Sequence, residues 1–159
     1  MDKRLAYASA TELMGLIATK QISPVELTEL FLNRIDTLDS RLNSFILLTH
    51  DSAVEAAKNA EAAVVRGDEL GPLHGLPIAI KDTQNTGGVR TTMGSLLFKD
   101  RVPERDAAVV ERVKGAGAIV MGKTNVQIVW KPAYQKHPVV LKIVLITLKG
   151  QKAMVNWIG

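Results

Sequence analysis

Cysteine is absent from the 159 residues of this chain, which excludes disulfide bonds and thiolate metal sites. The three histidines, His50, His74 and His137, lack the close spacing of metal ligands, and His74 is instead expected to bond to the backbone of the turn at Gly75. With 47% hydrophobic and 23% charged residues, the composition is that of an ordinary globular protein. We therefore expect a globular domain that needs no metal and no other cofactor.

Apolar runs long enough to span a bilayer are also absent. The longest run, residues 139–148, is interrupted by Lys142 and has about half the length that a membrane helix requires. Residues 1–5 lack the apolar core of a signal peptide. The sequence therefore predicts a cytoplasmic protein without a membrane partner.

Acidic residues are missing from the end of the chain. Residues 127–159 contain five lysines and no acid, whereas residues 1–126 contain 15 basic and all 16 acidic residues, so the net charge of +4 is the sum of +5 and −1. This basic excess contains no clustered arginine, and nucleic acid is therefore not an expected partner. The shift in composition predicts a boundary at residue 126, between a region 1–126 and a tail 127–159.

Helix signals recur along the first region. Ser9 and Ser23 are each followed three residues later by glutamate, which is the pattern of a capping box. Two more helices are predicted to begin at the aspartate caps Asp51 and Asp106, and the first of these is predicted to end at Gly67. The sequence thus predicts four helices before the boundary.

Short apolar runs between these helices predict strands at residues 45–48, 78–81 and 118–121, the last followed by a turn at 122–125. The second and third strands are joined across the fourth helix, which favours a parallel crossover. The predicted fold class is α/β with a mixed, largely parallel sheet. A further strand at residues 139–148 could pair with an exposed edge of this sheet, and an exposed edge is also a possible site of oligomerisation or aggregation.

Lys81 directly follows the apolar run 78–80. A lysine is rarely buried in a protein unless it has a charged partner or a functional role. Burial of an ammonium is costly, which favours the neutral amine, and a neutral amine can act as a general base. In the alternative interpretation Lys81 points to solvent or pairs with Asp82. Thr91 and Thr92 are expected to support the turn that follows.

Several segments together resemble the amidase signature family, in their order and spacing as well as individually. They are residues 23–27, 42–45, 71–82, 88–95, 102–110 and 115–125. The resemblance covers about residues 8–126 and implies the N-terminal part of an α/β/α amidase layer. It also implies that Lys81 belongs to a Ser–cis-Ser–Lys triad that hydrolyses or transfers a small-molecule carboxamide.

The two serines of that triad are expected downstream, in a glycine- and serine-rich segment that also supplies the oxyanion hole. After Lys81 this chain has one serine, Ser95, which matches a structural Gly–Ser turn of the family. Lys81 is therefore the one catalytic candidate, and we expect little or no turnover. A truncated or frame-shifted gene would produce the break at residue 126, and a natural variant C-terminus is the competing explanation.

Other functions remain open at this point. The chain could be a non-catalytic α/β interaction module that binds a second protein, or a fragment similar to the A-subunit of an amidotransferase. Residues 117–124 also satisfy the pattern of a phosphate-binding P-loop. That pattern requires a strand before the first glycine and a helix from the lysine, whereas here a helix precedes Gly117 and residues 118–121 read as a strand. Nucleotide binding is therefore not expected.

Overall fold

The computed structural model describes residues 3–126. A short 3₁₀ helix, Lys3–Tyr7, precedes the first regular element. The helices and strands then follow in the order α1 (Ala10–Ala18), α2 (Pro24–Leu42), β1 (Phe45–Leu48), α3 (His50–Arg66), β2 (Pro77–Lys81), a 3₁₀ helix (Leu96–Phe98), α4 (Ala108–Gly115) and β3 (Ile119–Thr124). The predictions for residues 127–159, including the strand at 139–148, lie outside the described residues.

The first two helices begin at the predicted serines. The Ser23 hydroxyl accepts hydrogen bonds from the amides of Val25 and Glu26, and the Glu26 carboxylate accepts one from the Ser23 amide, so this capping box is complete. At α1 the Ser9 hydroxyl accepts a hydrogen bond from the Glu12 amide at 3.2 Å. Both predicted helix starts are therefore confirmed, whereas the reciprocal bond of the capping box is formed at Ser23 and not at Ser9.

The two predicted aspartate caps are wrong. Helix α3 begins before Asp51 and α4 begins after Asp106, and neither helix has a side-chain cap. The Asp106 carboxylate instead accepts a hydrogen bond from the Gly87 amide at 2.6 Å, which is a contact with a distant loop. The predicted end of α3 is confirmed, since Gly67 has a φ of +78° that glycine adopts without strain.

The three strands form one mixed sheet in the order β1-β3-β2. Strands β2 and β3 are parallel and are connected through α4, which confirms the predicted crossover, whereas β1 and β3 are antiparallel. Strand β3 is longer than predicted, because Gly122, Lys123 and Thr124 continue it instead of forming a turn. Gly122 allows this continuation, since a β-carbon there would lie 2.3 Å from the carbonyl oxygen of Leu47 on β1.

Helices α2 and α3 pack against the strands of this sheet. On α3 three buried alanines, Ala53, Ala57 and Ala60, pack with Ile119 of β3, because small side chains let the helix approach the strand closely. A second cluster joins the first three helices to the start of β2. Its buried members are Leu13, Ile17, Ile22, Leu27, Val64 and Leu76. Within residues 3–126 no helix is both long enough and apolar enough to cross a membrane.

Candidate active site

Lys81 is the last residue of β2, and its side chain is exposed among the residues that the structure describes. Successive side chains of a strand point to opposite faces, and accordingly Ile80 and Asp82 are buried while Ala79 and Lys81 are exposed. Of the two interpretations of Lys81, the structure of residues 3–126 therefore agrees with the one in which the side chain points to solvent, and not with a buried lysine. Lys81 instead presents its amine outward from the carboxyl end of a parallel strand.

The backbone around Lys81 is held by two hydrogen bonds. The Lys81 carbonyl accepts a hydrogen bond from the Gln84 amide at 2.9 Å, which closes a tight turn. The next amide, that of Asp82, donates to the Thr124 carbonyl of β3 at 3.2 Å. Lys81 thus combines a fixed backbone with an accessible amine.

The buried lysine of this region is Lys123 on β3, whose side chain is fully enclosed. Its Nζ donates to the Gln84 carbonyl, to Thr86 Oγ1 at 3.0 Å and to Thr91 Oγ1 at 2.9 Å. An ammonium group has three N–H donors, and these three acceptors match them. The Asp82 carboxylate, also fully buried, lies 4.0 Å from Nζ and supplies the opposite charge.

Asp82 is itself bound to the residues that follow. Its carboxylate accepts hydrogen bonds from the Thr92 amide at 3.0 and 3.2 Å and from the Thr92 hydroxyl. Its carbonyl accepts one from the Met93 amide at 3.2 Å. The prediction that Thr91 and Thr92 support the turn after β2 is confirmed, and the two threonines do so through Lys123 and Asp82 respectively.

The electrostatics of this group follow from its burial. Burial lowers the pKa of Lys123, and the nearby carboxylates of Asp82 and Asp106 oppose that effect only in part. At Asp106 burial raises the pKa, but the hydrogen bonds from Lys114 and the Gly87 amide outweigh it, so the pKa of that carboxyl is lowered. Within residues 3–126 the amine of Lys123 is enclosed, whereas Lys81 is exposed.

Lys123 was missed from the sequence, although a signal was present. It follows the apolar run 118–121 after a single glycine, much as Lys81 follows the run 78–80. The same lysine is also the lysine of the P-loop pattern at residues 117–124. The structure contradicts that pattern, since Lys123 lies within a strand and is fully buried.

The other candidate groups have structural roles. The Ser95 hydroxyl accepts a hydrogen bond from the Leu97 amide at 3.3 Å and caps the 3₁₀ helix, consistent with the predicted structural turn. His74 Nε2 lies 3.0 Å from the Ala60 carbonyl of α3. The expected bond of His74 to the Gly75 turn is thus replaced by a contact with that helix. Among residues 3–126 no group of three or more His, Asp or Glu side chains could hold a metal ion.

Comparison with known proteins identifies the family. The family model described as Amidase matches residues 26–143, which extends past the boundary predicted at residue 126. The A-subunit of glutamyl-tRNA(Gln) amidotransferase from Moorella thermoacetica is 45% identical over 121 residues, which are 76% of this chain and 25% of that relative. The corresponding protein from Aromatoleum aromaticum is 49% identical over 118 residues, 74% of this chain and 24% of the relative.

The fold agrees with these relatives. The solved structure of the native peptide amidase from Stenotrophomonas maltophilia matches with a TM-score of 0.71 at 34% identity, covering 77% of this chain and 26% of that one. This chain spans about a quarter of the length of the curated relatives that it matches. Because the family model matches most of its residues, and because solved amidases share its α/β layer, this chain belongs to the amidase signature family.

Proposed function

We propose that this chain contributes the lysine of a site that hydrolyses or transfers carboxamides, with Lys81 as the proton acceptor. The observation that carries the proposal is the placement of Lys81 at the carboxyl end of β2, with its backbone held and its amine exposed. In α/β sheets ligands bind beyond the carboxyl ends of the parallel strands. An amine at this position is available to groups that lie outside residues 3–126.

In such a site, this chain would carry out one part of the reaction, the acceptance and return of a proton by Lys81. A neutral Lys81 would accept a proton from a bridging serine, which in turn takes the proton of the nucleophilic serine as it attacks the amide carbon. Backbone amides hold the oxyanion, and as the C–N bond breaks Lys81 returns the proton through the bridging serine to the departing nitrogen, which leaves as ammonia or an amine. Water or another acceptor then attacks the resulting acyl-enzyme and releases the serine. The one serine after Lys81 in this sequence, Ser95, is engaged in a helix cap. The proposal therefore includes little or no turnover by this chain alone.

A chimera tests the proposal. Residues 1–126 would replace the corresponding segment of the Moorella thermoacetica amidotransferase protein, to which this chain is 45% identical over the matched region. We expect the chimera to release ammonia from a simple carboxamide and Lys81→Ala to reduce kcat by a factor on the order of 10²–10⁴, as for loss of a general base.

Lys58→Ala is the matched control, because Lys58 is an exposed lysine on α3 and not on β2. It should leave the activity of the chimera within about twofold, as surface substitutions usually do. An active chimera in which Lys81→Ala is also active would refute the assigned role. A folded but inactive chimera would refute the proposal that this segment completes an amidase site.

Within the family, the identities favour an amidotransferase A-subunit over a peptide amidase. They are 45% and 49% to the two amidotransferase proteins, and 34% to the peptide amidase. Subunits function in assemblies, so this candidate function implies protein partners as well as a small-molecule amide. Retention of the remaining subunits of the Moorella amidotransferase by the chimera would support it. A chimera that hydrolyses amides but retains none of them would favour a free-standing amidase.

The non-catalytic module is tested by the same measurements. If the chain is a non-catalytic module, the chimera should bind the partner subunits. The Lys81→Ala chimera should then release ammonia as fast as the chimera without this substitution. Loss of activity in Lys81→Ala with retained binding would exclude this interpretation.

A further inference from the structure

Between β2 and α4 the chain runs through residues 82–107, which we call the β2–α4 connection. Its one regular element in the structure is the 3₁₀ helix Leu96–Phe98. A connection of this length with little secondary structure needs tethers if it is to adopt one conformation. Because it starts directly after Lys81, its conformation also determines how the end of β2 is held.

Lys123 connects the start of this segment to β3. Its ammonium contacts the carbonyl of Gln84 and the hydroxyls of Thr86 and Thr91, which brings three separate points of the connection to one atom of β3. Gln84 is the residue whose amide closes the turn on the Lys81 carbonyl. In addition to the direct pairing of β2 with β3, Lys123 thus links the turn that follows Lys81 to β3.

We propose that Lys123 is a positioning residue for Lys81, holding the turn of residues 81–84 against β3 through its bond to the Gln84 carbonyl. The inference rests on the proposed function of Lys81, but it concerns the conformation of the turn and can be measured without any activity.

The geometry explains why a lysine occupies this position. Three acceptors surround one nitrogen, and an ammonium on a flexible stem donates to all three, whereas the planar fork of an arginine has a different shape. Within a fully buried site a cation also requires an opposite charge, which Asp82 provides at 4.0 Å. Asp82 is the residue next to Lys81, so both ends of the buried pair act on the same turn.

Amide hydrogen exchange, measured by NMR on the full 159-residue chain, tests this role. The reporter is the Gln84 amide, which donates to the Lys81 carbonyl at 2.9 Å. Thr91→Val removes one acceptor of the ammonium while nearly preserving side-chain shape, and Thr91→Ser restores a hydroxyl. Loss of one hydrogen bond to a charged group should lower the protection of the Gln84 amide at least about threefold in Thr91→Val. Protection should return to within about twofold in Thr91→Ser.

Lys123→Met removes all three bonds and should lower Gln84 protection about tenfold or more, while amides in the middle of α2 keep theirs. Lys99→Met is the matched control, since Lys99 lies in the same connection but pairs with Asp100 at an exposed site, and it should change neither region. If Lys123→Met does not fold, the proposal is tested by the protection of the Gln84 amide in Thr91→Val and Thr91→Ser.

Unchanged Gln84 protection in folded Thr91→Val or Lys123→Met would overturn the proposal, as would an equal loss in Thr91→Val and Thr91→Ser. Failure of the proposed function would appear separately, as an inactive chimera or an active Lys81→Ala variant.

Discussion

Loss of the buried ion pair between Lys123 and Asp82 should reduce the unfolding free energy of the chain by a predictable amount. Both side chains are fully enclosed, and Nζ lies 4.0 Å from Oδ1. Lys123→Met leaves the Asp82 carboxylate buried without this cation and leaves three acceptors without their donor. Removing one partner of a buried pair typically costs about 3–5 kcal/mol of unfolding free energy. That loss is a large part of the roughly 5–15 kcal/mol by which a domain is usually stable.

The measurement is urea unfolding followed by circular dichroism for Lys123→Met, Asp82→Asn, the double variant and the control Lys99→Met. The double variant should recover about 1–3 kcal/mol relative to the sum of the single effects, because it leaves no unpaired buried charge. The control should differ from the unmodified chain by less than about 0.5 kcal/mol. Additive single effects, or a cost of Lys123→Met below about 1 kcal/mol, would refute the reasoning, since a buried pair cannot be lost from one side so cheaply.

The difference in unfolding free energy between the unmodified chain and Lys123→Met should also depend on pH, in a direction set by the pKa of Lys123. Burial lowers the pKa of Lys123 below its ordinary value of 10.5, so between the two values the unfolded chain binds more protons than the folded chain. The contribution of this group to stability therefore rises with pH in that window. We expect the difference in unfolding free energy between the unmodified chain and Lys123→Met to widen as the pH increases toward 10.5. A difference that narrows would contradict the direction of the shift.

Three further predictions concern activity, packing and solubility. The chain alone should release no ammonia from simple carboxamides, and Lys81→Ala should change nothing in that assay; turnover that disappears in Lys81→Ala would show that the site is already complete. Gly122→Ala should reduce the unfolding free energy by about 2 kcal/mol or more, because its β-carbon would lie 2.3 Å from a backbone oxygen of β1. Gly15→Ala, with open space around the added methyl, should raise stability by about 0.5–1 kcal/mol, and equal effects of the two would contradict the packing argument. Replacing the 88% and 90% exposed side chains of Leu96 and Leu97 by lysine should reduce light scattering from aggregates, and unchanged scattering would place the aggregating surface elsewhere.

Local features were predicted from the sequence where their causes are local. The starts of α1 and α2 were predicted because a serine cap bonds to amides within the next three residues. Asp51 and Asp106 carry the same type of signal and are not caps. At Asp106 the carboxylate bonds to Gly87, 19 residues earlier in the chain, and a contact of that range is invisible to a local pattern.

The end of β3 was mispredicted for a related reason. Gly122 reads as a turn residue in isolation, but in the fold the backbone of β1 at Leu47 and Leu48 lies directly against it. The need for a glycine there arises from a neighbouring strand about 75 residues earlier, not from a change of chain direction.

From its sequence alone, this protein was predicted to contain an α/β layer, a parallel pair of strands and, at Lys81, one catalytic candidate. These predictions rest on hydrophobic periodicity and helix caps, which are contained within single elements, and on family motifs, which are short stretches of consecutive residues. Which lysine is buried was decided only by the tertiary structure. The acceptors that enclose Lys123 lie 32 to 39 residues before it, and they meet only when β2, its following connection and β3 are assembled. Burial of a charge depends on such distant partners, and so the same apolar-run signal marks an exposed amine at Lys81 and an enclosed one at Lys123.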